Sequence, residues 1–472
     1  MTPALTPSEI LINLLASLFI IPIIFGIFIK APKLIVFGFI AVLFLFSDST
    51  WGQLESQSTI YSRGAGMFYF SLLNLILLVS GVAALLKRLA TPHGPELAPP
   101  ISKYFIAFIF LLLSHIVIGL ILGIDLNVIL GYKGVLNILN MLVFMYLVIM
   151  AFDSEKDSTN MLVAIIALAA VRAAFGAVRY VAFDGDAANP YRNFEGLDIK
   201  IFFFDISDNF VASLAAFCAA WLLTAPEVKL SWFKRLCIIC FIALEIAAVA
   251  LSFRRSSLIG LALMFGFLFL RLPGKRKILF ALLAAALLSV VASIMFQQRL
   301  QFNTSGGILE SLIYDISPDR GIKESRFYEL YAAAQSMEGH WLFGRGTWGS
   351  FIGDRDRLSY HGDDFGFVHS GFGHVLLKTG LVGLLLFSCI LIAYVSFYFR
   401  HRRYLIGNAR LIADAGFAGF LFWTPTLLIG TPIIEFRTML LIGLVLAMPF
   451  VAVGVHNYQV RRTLYQPRYA AA

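Results

Sequence analysis

The sequence predicts an all-α polytopic membrane protein with about 12–14 transmembrane helices, 13 favoured, and three observations carry that expectation. Of 472 residues, 59% are hydrophobic and 14% charged, with a mean hydropathy of +0.83. Apolar runs of about 20 residues recur along the chain, the length an α-helix needs to cross a bilayer. The runs are continuous rather than alternating, which excludes a β-barrel, the other fold that satisfies its backbone groups in hydrocarbon.

Candidate spans lie near residues 10–29, 33–48, 66–86, 104–124, 135–152, 161–183, 208–224, 236–253, 257–271, 278–297, 371–398, 411–430 and 437–455. A tight turn, Lys30-Ala31-Pro32-Lys33, separates the first two. No basic segment with a small-residue cleavage site opens the chain, so the first run reads as a retained helix. Three regions follow: 1–297 with ten spans, a large loop or cap at 298–370, and 371–472 with three spans and a tail.

The net charge of +9 does not point to nucleic acid, because the basic residues flank apolar runs as topology signals do. With the N-terminus outside, the inside segments hold twenty lysines and arginines against eight in the short outside segments. That bias predicts a cytoplasmic C-terminus and an extracytoplasmic 298–370 loop. The loop includes an amphipathic stretch from Glu324 to Met337 and a turn at Gly344-Arg345-Gly346. Its scattered apolar residues predict a folded cap. The four cysteines, Cys218, Cys237, Cys240 and Cys389, all lie in apolar runs and read as packing residues.

Charges placed where membrane physics disfavours them carry the functional signal. Arg254 and Arg255 form an outside helix junction in Ser252-Phe253-Arg254-Arg255-Ser256-Ser257. Two guanidiniums beside a helix N-terminus, with Ser256 and Ser257 as donors, suit a diphosphate; the other reading is an interfacial anchor. Arg192 and Arg326 share the same expected face. So do His340, His361, His369 and His374. His369 directly precedes the eleventh span and is the candidate general base, since imidazole ordinarily titrates near neutral pH. His374 is about 140° further round a helix and would not act on the same atom. Asp184-Gly185-Asp186 reads as a turn or as an acidic metal-binding pair. Arg172 and Lys378 fall inside spans, where a charge must face the bundle or a wet cavity.

Several of these segments together resemble one family. His369-Ser370, nine residues, then Gly380 resembles the histidine motif of the O-antigen ligase/polymerase superfamily. The stretch from Arg326 to Gly346, with Leu342-Phe343-Gly344, is similar to what precedes that motif there. Arg254, three residues, Leu258 resembles the family's arginine-leucine motif, and adjacent Arg255 fits the same role. Arg192 to Gly196, followed by Asp208-Asn209, is similar to its earlier arginine loop. Lys378 stands where members often carry an acidic residue.

The resemblance implies a helical enzyme of GT-C-like architecture in a bacterial inner membrane, with its active site facing the periplasm. The implied donor is a glycan on undecaprenyl diphosphate. The implied acceptor is a sugar hydroxyl, on lipid A-core for a ligase or on another lipid-linked glycan for a polymerase. His369 would be catalytic. Arg192, Arg254, Arg255 and Arg326 would hold the diphosphate, with Ser256, Ser370 and Gly380 in support. No cofactor and no metal is implied, and neither is nucleic acid. Membrane lipids and a chain-length regulator are the implied partners. The rival expectation is a transporter that flips lipid-linked oligosaccharides, which would show matched halves with charges spread through the bundle.

Overall fold

The computed structural model describes residues 7–47, 72–90, 99–131, 133–152, 154–186, 200–225, 230–278, 281, 289, 293, 326–355, 358 and 365–465. The protein is an all-α polytopic membrane protein, with no strand among the described residues. Its helices are α1 (Pro7–Lys30), α2 (Pro32–Leu45), α3 (Leu72–Ala90), α4 (Pro99–Ile121), α5 (Leu126–Ile129), α6 (Leu136–Ala151) and α7 (Glu155–Ala182). They continue with α8 (Ile206–Thr224), α9 (Trp232–Ala250), α10 (Arg255–Arg271), α11 (Arg326–Gln335), α12 (Gly371–His401), α13 (Gly407–Ile429) and α14 (Phe436–Tyr465). Every expected span except the tenth coincides with one of them. The tenth lies almost wholly outside the described residues.

Among the described residues, seven helices are by themselves long and apolar enough to cross a membrane, or eight if α1 and α2 form one bent span. These two meet at 110°, with Pro32 opening α2. The turn expected there is therefore a sharp bend, and α2, with 14 residues, is short. At about 1.5 Å per residue it rises roughly 21 Å, less than the ~30 Å of a hydrocarbon core.

Polar residues cap several of the helix starts, where backbone donors lack intrahelical partners. Ser154 and Asp157 close a capping box on α7. Asp205 caps α8 by accepting from Ser207 N–H, and Ser231 caps α9. α14 packs against α6 and α13, which makes it the centre of the bundle. Phe210 of α8 meets Trp423 and Phe422 of α13 with ring centroids 4.9 and 5.4 Å apart.

Most charges buried in the bundle are paired; among the described residues the exception is Glu245 of α9, fully buried with neither carboxylate oxygen hydrogen-bonded. Arg172 of α7 makes a two-point contact with Asp208 of α8, at 3.1 and 2.5 Å, and donates to Leu45 O and Ser47 Oγ. Arg437 of α14 reaches the same Asp208 at 2.6 Å, Asp205 at 2.5 Å and Leu43 O at 2.8 Å. Asp208 is fully buried. At the far end of the bundle Asp414 holds Arg402 and Tyr398, each at 2.7 Å.

Candidate active site

The site is built around the first turn of α12. Ser370 is its N-cap, in extended backbone with its hydroxyl accepting from Gly373 N–H at 3.2 Å, so His369 sits just before the helix. Glu329 of α11 fixes that histidine twice. One carboxylate oxygen accepts the His369 backbone N–H at 2.6 Å, and the two oxygens lie 3.2 and 3.0 Å from Nδ1. Glu329 is fully buried, whereas the His369 side chain is 20% exposed. A carboxylate on Nδ1 favours the tautomer with the proton there, which leaves Nε2 as the basic nitrogen.

Glu329 was not singled out in the sequence. Its signal is its register. Glu329, Ala332, Ala333 and Ser336 are all buried, at the i, i+3, i+4, i+7 spacing of one helix face, so the carboxylate lies on the packed stripe of α11. Arg326 opens the same helix, one turn earlier.

The motif glycine has an equally local role. Gly380 interrupts α12 with φ 66° and ψ −165°, a region essentially reserved for glycine. Three backbone groups lose their helical partners at this break, and residues 341–345 replace them. Leu381 N–H donates to Trp341 O at 2.8 Å, Val382 N–H to Leu342 O at 3.1 Å, and Arg345 N–H to Leu377 O at 2.9 Å. Gly344, itself at φ 76°, crosses against Gly380 so closely that a methyl on Gly380 would lie 2.4 Å from Gly344 N and from Leu342 O. Lys378 is buried and donates to Gly349 O at 2.5 Å. The positive charge at this position therefore latches the loop to the helix. The carboxylate that orients the histidine comes from α11 instead. Gly380→Ala should cost about 1–3 kcal/mol in backbone strain alone. The expected readout is a lower melting temperature in detergent together with weakened activity.

Arg254 and Arg255 stand at the start of α10, half-buried. The Arg254 guanidinium lies over the Phe204 ring, 4.6 Å from its centroid. Phe253 adopts φ 54°, the tight turn that brings the chain from α9 into α10. Ser256 is half-buried in the first turn, and the buried Ser257 hydroxyl finds no partner among the described residues. Residues 202 and 203 pair with this corner, Phe202 N–H to Leu251 O and Phe203 N–H to Ser252 Oγ, both 3.1 Å.

The arginine corner and the histidine lie at one end of the bundle. Gly260 of α10 packs on the backbone of Phe422, where a methyl would come within 2.6 Å of its carbonyl, and Gly371 of α12 packs on Leu427 O at 3.0 Å. Phe422 and Leu427 are five residues apart on α13, about 7.5 Å along its axis. Both helix starts therefore flank the C-terminal end of α13. The ends of α7 and α9 and the starts of α8 and α14 meet there too, through the Arg172–Asp208–Arg437 network and the Phe202–Leu251 pairing.

The remaining candidates divide. Arg192 and His361 lie outside the described residues. His340 is exposed. His374 is buried with Nε2 3.1 Å from Gly134 O, a packing role inside α12. Asp184 pairs with Lys200 and Asp186 with Arg179, at 2.7 and 2.8 Å, across a turn with positive φ at Asp184 and Gly185. The acidic tripeptide is a braced turn. An apolar groove of about 420 Å³ runs between α12 and α13 from Phe372 to Ser396, lined also by Leu391, Ile392 and Phe420.

A family model described as O-antigen ligase matches residues 238–388. The matched stretch runs from α9 into α12 and includes Arg254, Arg255, Arg326, Glu329, His369 and Gly380; Arg192 precedes it. No curated protein matches the chain.

Proposed function

We propose that this chain, which falls in the O-antigen ligase/polymerase superfamily by its match over residues 238–388, transfers a glycan from undecaprenyl diphosphate to a sugar hydroxyl at the periplasmic face of the inner membrane. The observation that carries the reading is the Glu329–His369 pair, held at the same end of the bundle as Arg254 and Arg255. Nε2 of His369 takes the proton of the acceptor hydroxyl. The hydroxyl oxygen bonds to the anomeric carbon as the bond from that carbon to the diphosphate oxygen breaks, with inversion. Undecaprenyl diphosphate leaves with the bonding electron pair. Its charge grows in the transition state, so fixed cations lower the barrier. Arg254 or Arg255, with Arg192 and Arg326, supply them in place of a metal. The Ser256 hydroxyl and the first-turn amides of α10 add donors. The apolar groove below Phe372 suits the polyprenyl tail.

Ligase and polymerase share this chemistry and differ in acceptor. A product ladder of repeat numbers identifies a polymerase, and transfer of a preassembled chain to lipid A-core identifies a ligase. The test uses purified protein in liposomes with a lipid-linked glycan donor. Glu329→Gln should lower turnover roughly 10–100-fold, the scale of losing a group that orients its partner. It should leave KM for the donor nearly unchanged, and Glu329→Asp should recover part of the loss. EDTA should leave the wild-type rate intact. Full loss in EDTA restored by magnesium would overturn the metal-free reading. Donor translocation without bond formation would favour a flippase.

A further inference from the structure

The loop segment that completes α12 also presents Trp341, Leu342 and Phe343 outward, 45, 56 and 55% exposed. Three adjacent exposed apolar side chains would be costly in water, so their depth decides what they face. Two neighbours measure that depth. Gly383, one residue beyond Val382, packs on Leu111 of α4, and Trp348 packs on Gly119 of the same helix. Leu111 lies ten residues before Ile121, the α4 terminus on this side, or about 15 Å along the axis. Residues 101–121 of α4 are a span by length and apolarity. The bonds from Trp341 O and Leu342 O to Leu381 and Val382 therefore lie within the apolar layer, well below the end of α4. Around them, Leu381 and Leu385 of α12 and Phe110 and Leu113 of α4 are about half to two-thirds exposed, as lipid-facing residues of a span are.

We propose that Trp341, Leu342 and Phe343 form a re-entrant wedge whose side chains insert among the acyl chains of the leaflet nearest His369. Non-helical backbone survives at membrane depth only where its polar groups are satisfied by protein, and the stitching across the Gly380 break meets that condition. The wedge is tied to the histidine's partner, because Arg345 donates to Ser336 O at 2.6 Å and Ile352 N–H to Ser336 Oγ at 2.9 Å, both at the end of α11. Lipid thus helps seat the helix that carries Glu329. The depth assignment does not depend on the reaction proposed above.

The test compares wild-type protein with Trp341→Phe in liposomes, reading tryptophan emission. The component that Trp341→Phe removes should be quenched by more than half with bromine on the acyl chains and hardly at all by aqueous iodide. Quenching by iodide would overturn the wedge and leave the segment in water. Quenching by neither would also overturn it, because another protein surface, such as a second copy of this chain, would then cover the patch. As a second measurement, Phe343→Asp should lower the melting temperature in liposomes, while Tyr331→Asp, at an exposed α11 position outside the wedge, should not. Equal melting of Phe343→Asp and wild-type protein would count against insertion.

Discussion

His369→Ala should reduce glycan transfer by roughly 10²–10⁴-fold, the usual contribution of a positioned general base. The protein should still insert and fold, though with a lowered melting temperature, because His369 precedes α12 rather than packing inside it and Ser370 keeps the helix capped. The side chain is partly exposed, so its removal opens no large buried cavity. It does leave the Glu329 carboxylate, fully buried, without the ring on which it rested. The double variant His369→Ala/Glu329→Gln should therefore melt higher than His369→Ala alone and remain equally inactive. Glycan profiles from a deletion strain carrying each variant, with melting curves on the purified proteins, give both readings. Wild-type product from His369→Ala would remove the assigned base.

Asp208→Ala should have the largest effect on stability. One carboxylate, fully buried, answers two buried guanidiniums from α7 and α14. Removing one partner of a buried ion pair typically costs about 3–5 kcal/mol, because the remaining charge stays in a medium that solvates it poorly. Here two positive charges would face each other across the vacated position. Asp208→Asn keeps one acceptor oxygen and should fall between. The expected result is a sharp fall in the yield of folded protein from membranes, measured by size-exclusion profile and melting temperature. Wild-type behaviour of Asp208→Ala would mean that water reaches this network.

The fold was legible in the sequence because a bilayer imposes a local rule. An apolar run of sufficient length must become a helix, and the seven described helices long and apolar enough to cross follow from that rule, whereas short α2 and α6 and the bend between α1 and α2 do not. His369 was legible from its place just before a span, whereas Ser370 and Gly380 stood out in the sequence only through the family resemblance; that Ser370 caps α12 and that Gly380 breaks it against residues 341–345 is visible only in the fold. Glu329 was not legible, because its contact bridges forty residues and its sequence neighbours make it look like one polar residue on a loop helix. The face it shares with Ala332, Ala333 and Ser336 was the available clue. Arg172 read as a charge out of place. Its partners are Asp208 on the next helix and Leu45 O and Ser47 Oγ more than a hundred residues earlier, so only folding reveals that it is paired. Lys378 read as a span charge that must face the bundle or a wet cavity, and it is buried with its ammonium on a loop carbonyl, Gly349 O. Ser256 and Ser257 sit at the helix start where the pattern put them.

The crossing of Gly344 over Gly380 limits how this protein can be re-engineered. Segments 336–349 and 371–383 are one unit of backbone bonding split across the chain. A chimera that grafts a relative's loop onto this α12, or the reverse, would strand amide and carbonyl groups inside hydrocarbon at several kcal/mol each. Specificity swaps between relatives should therefore move both segments as a single cassette.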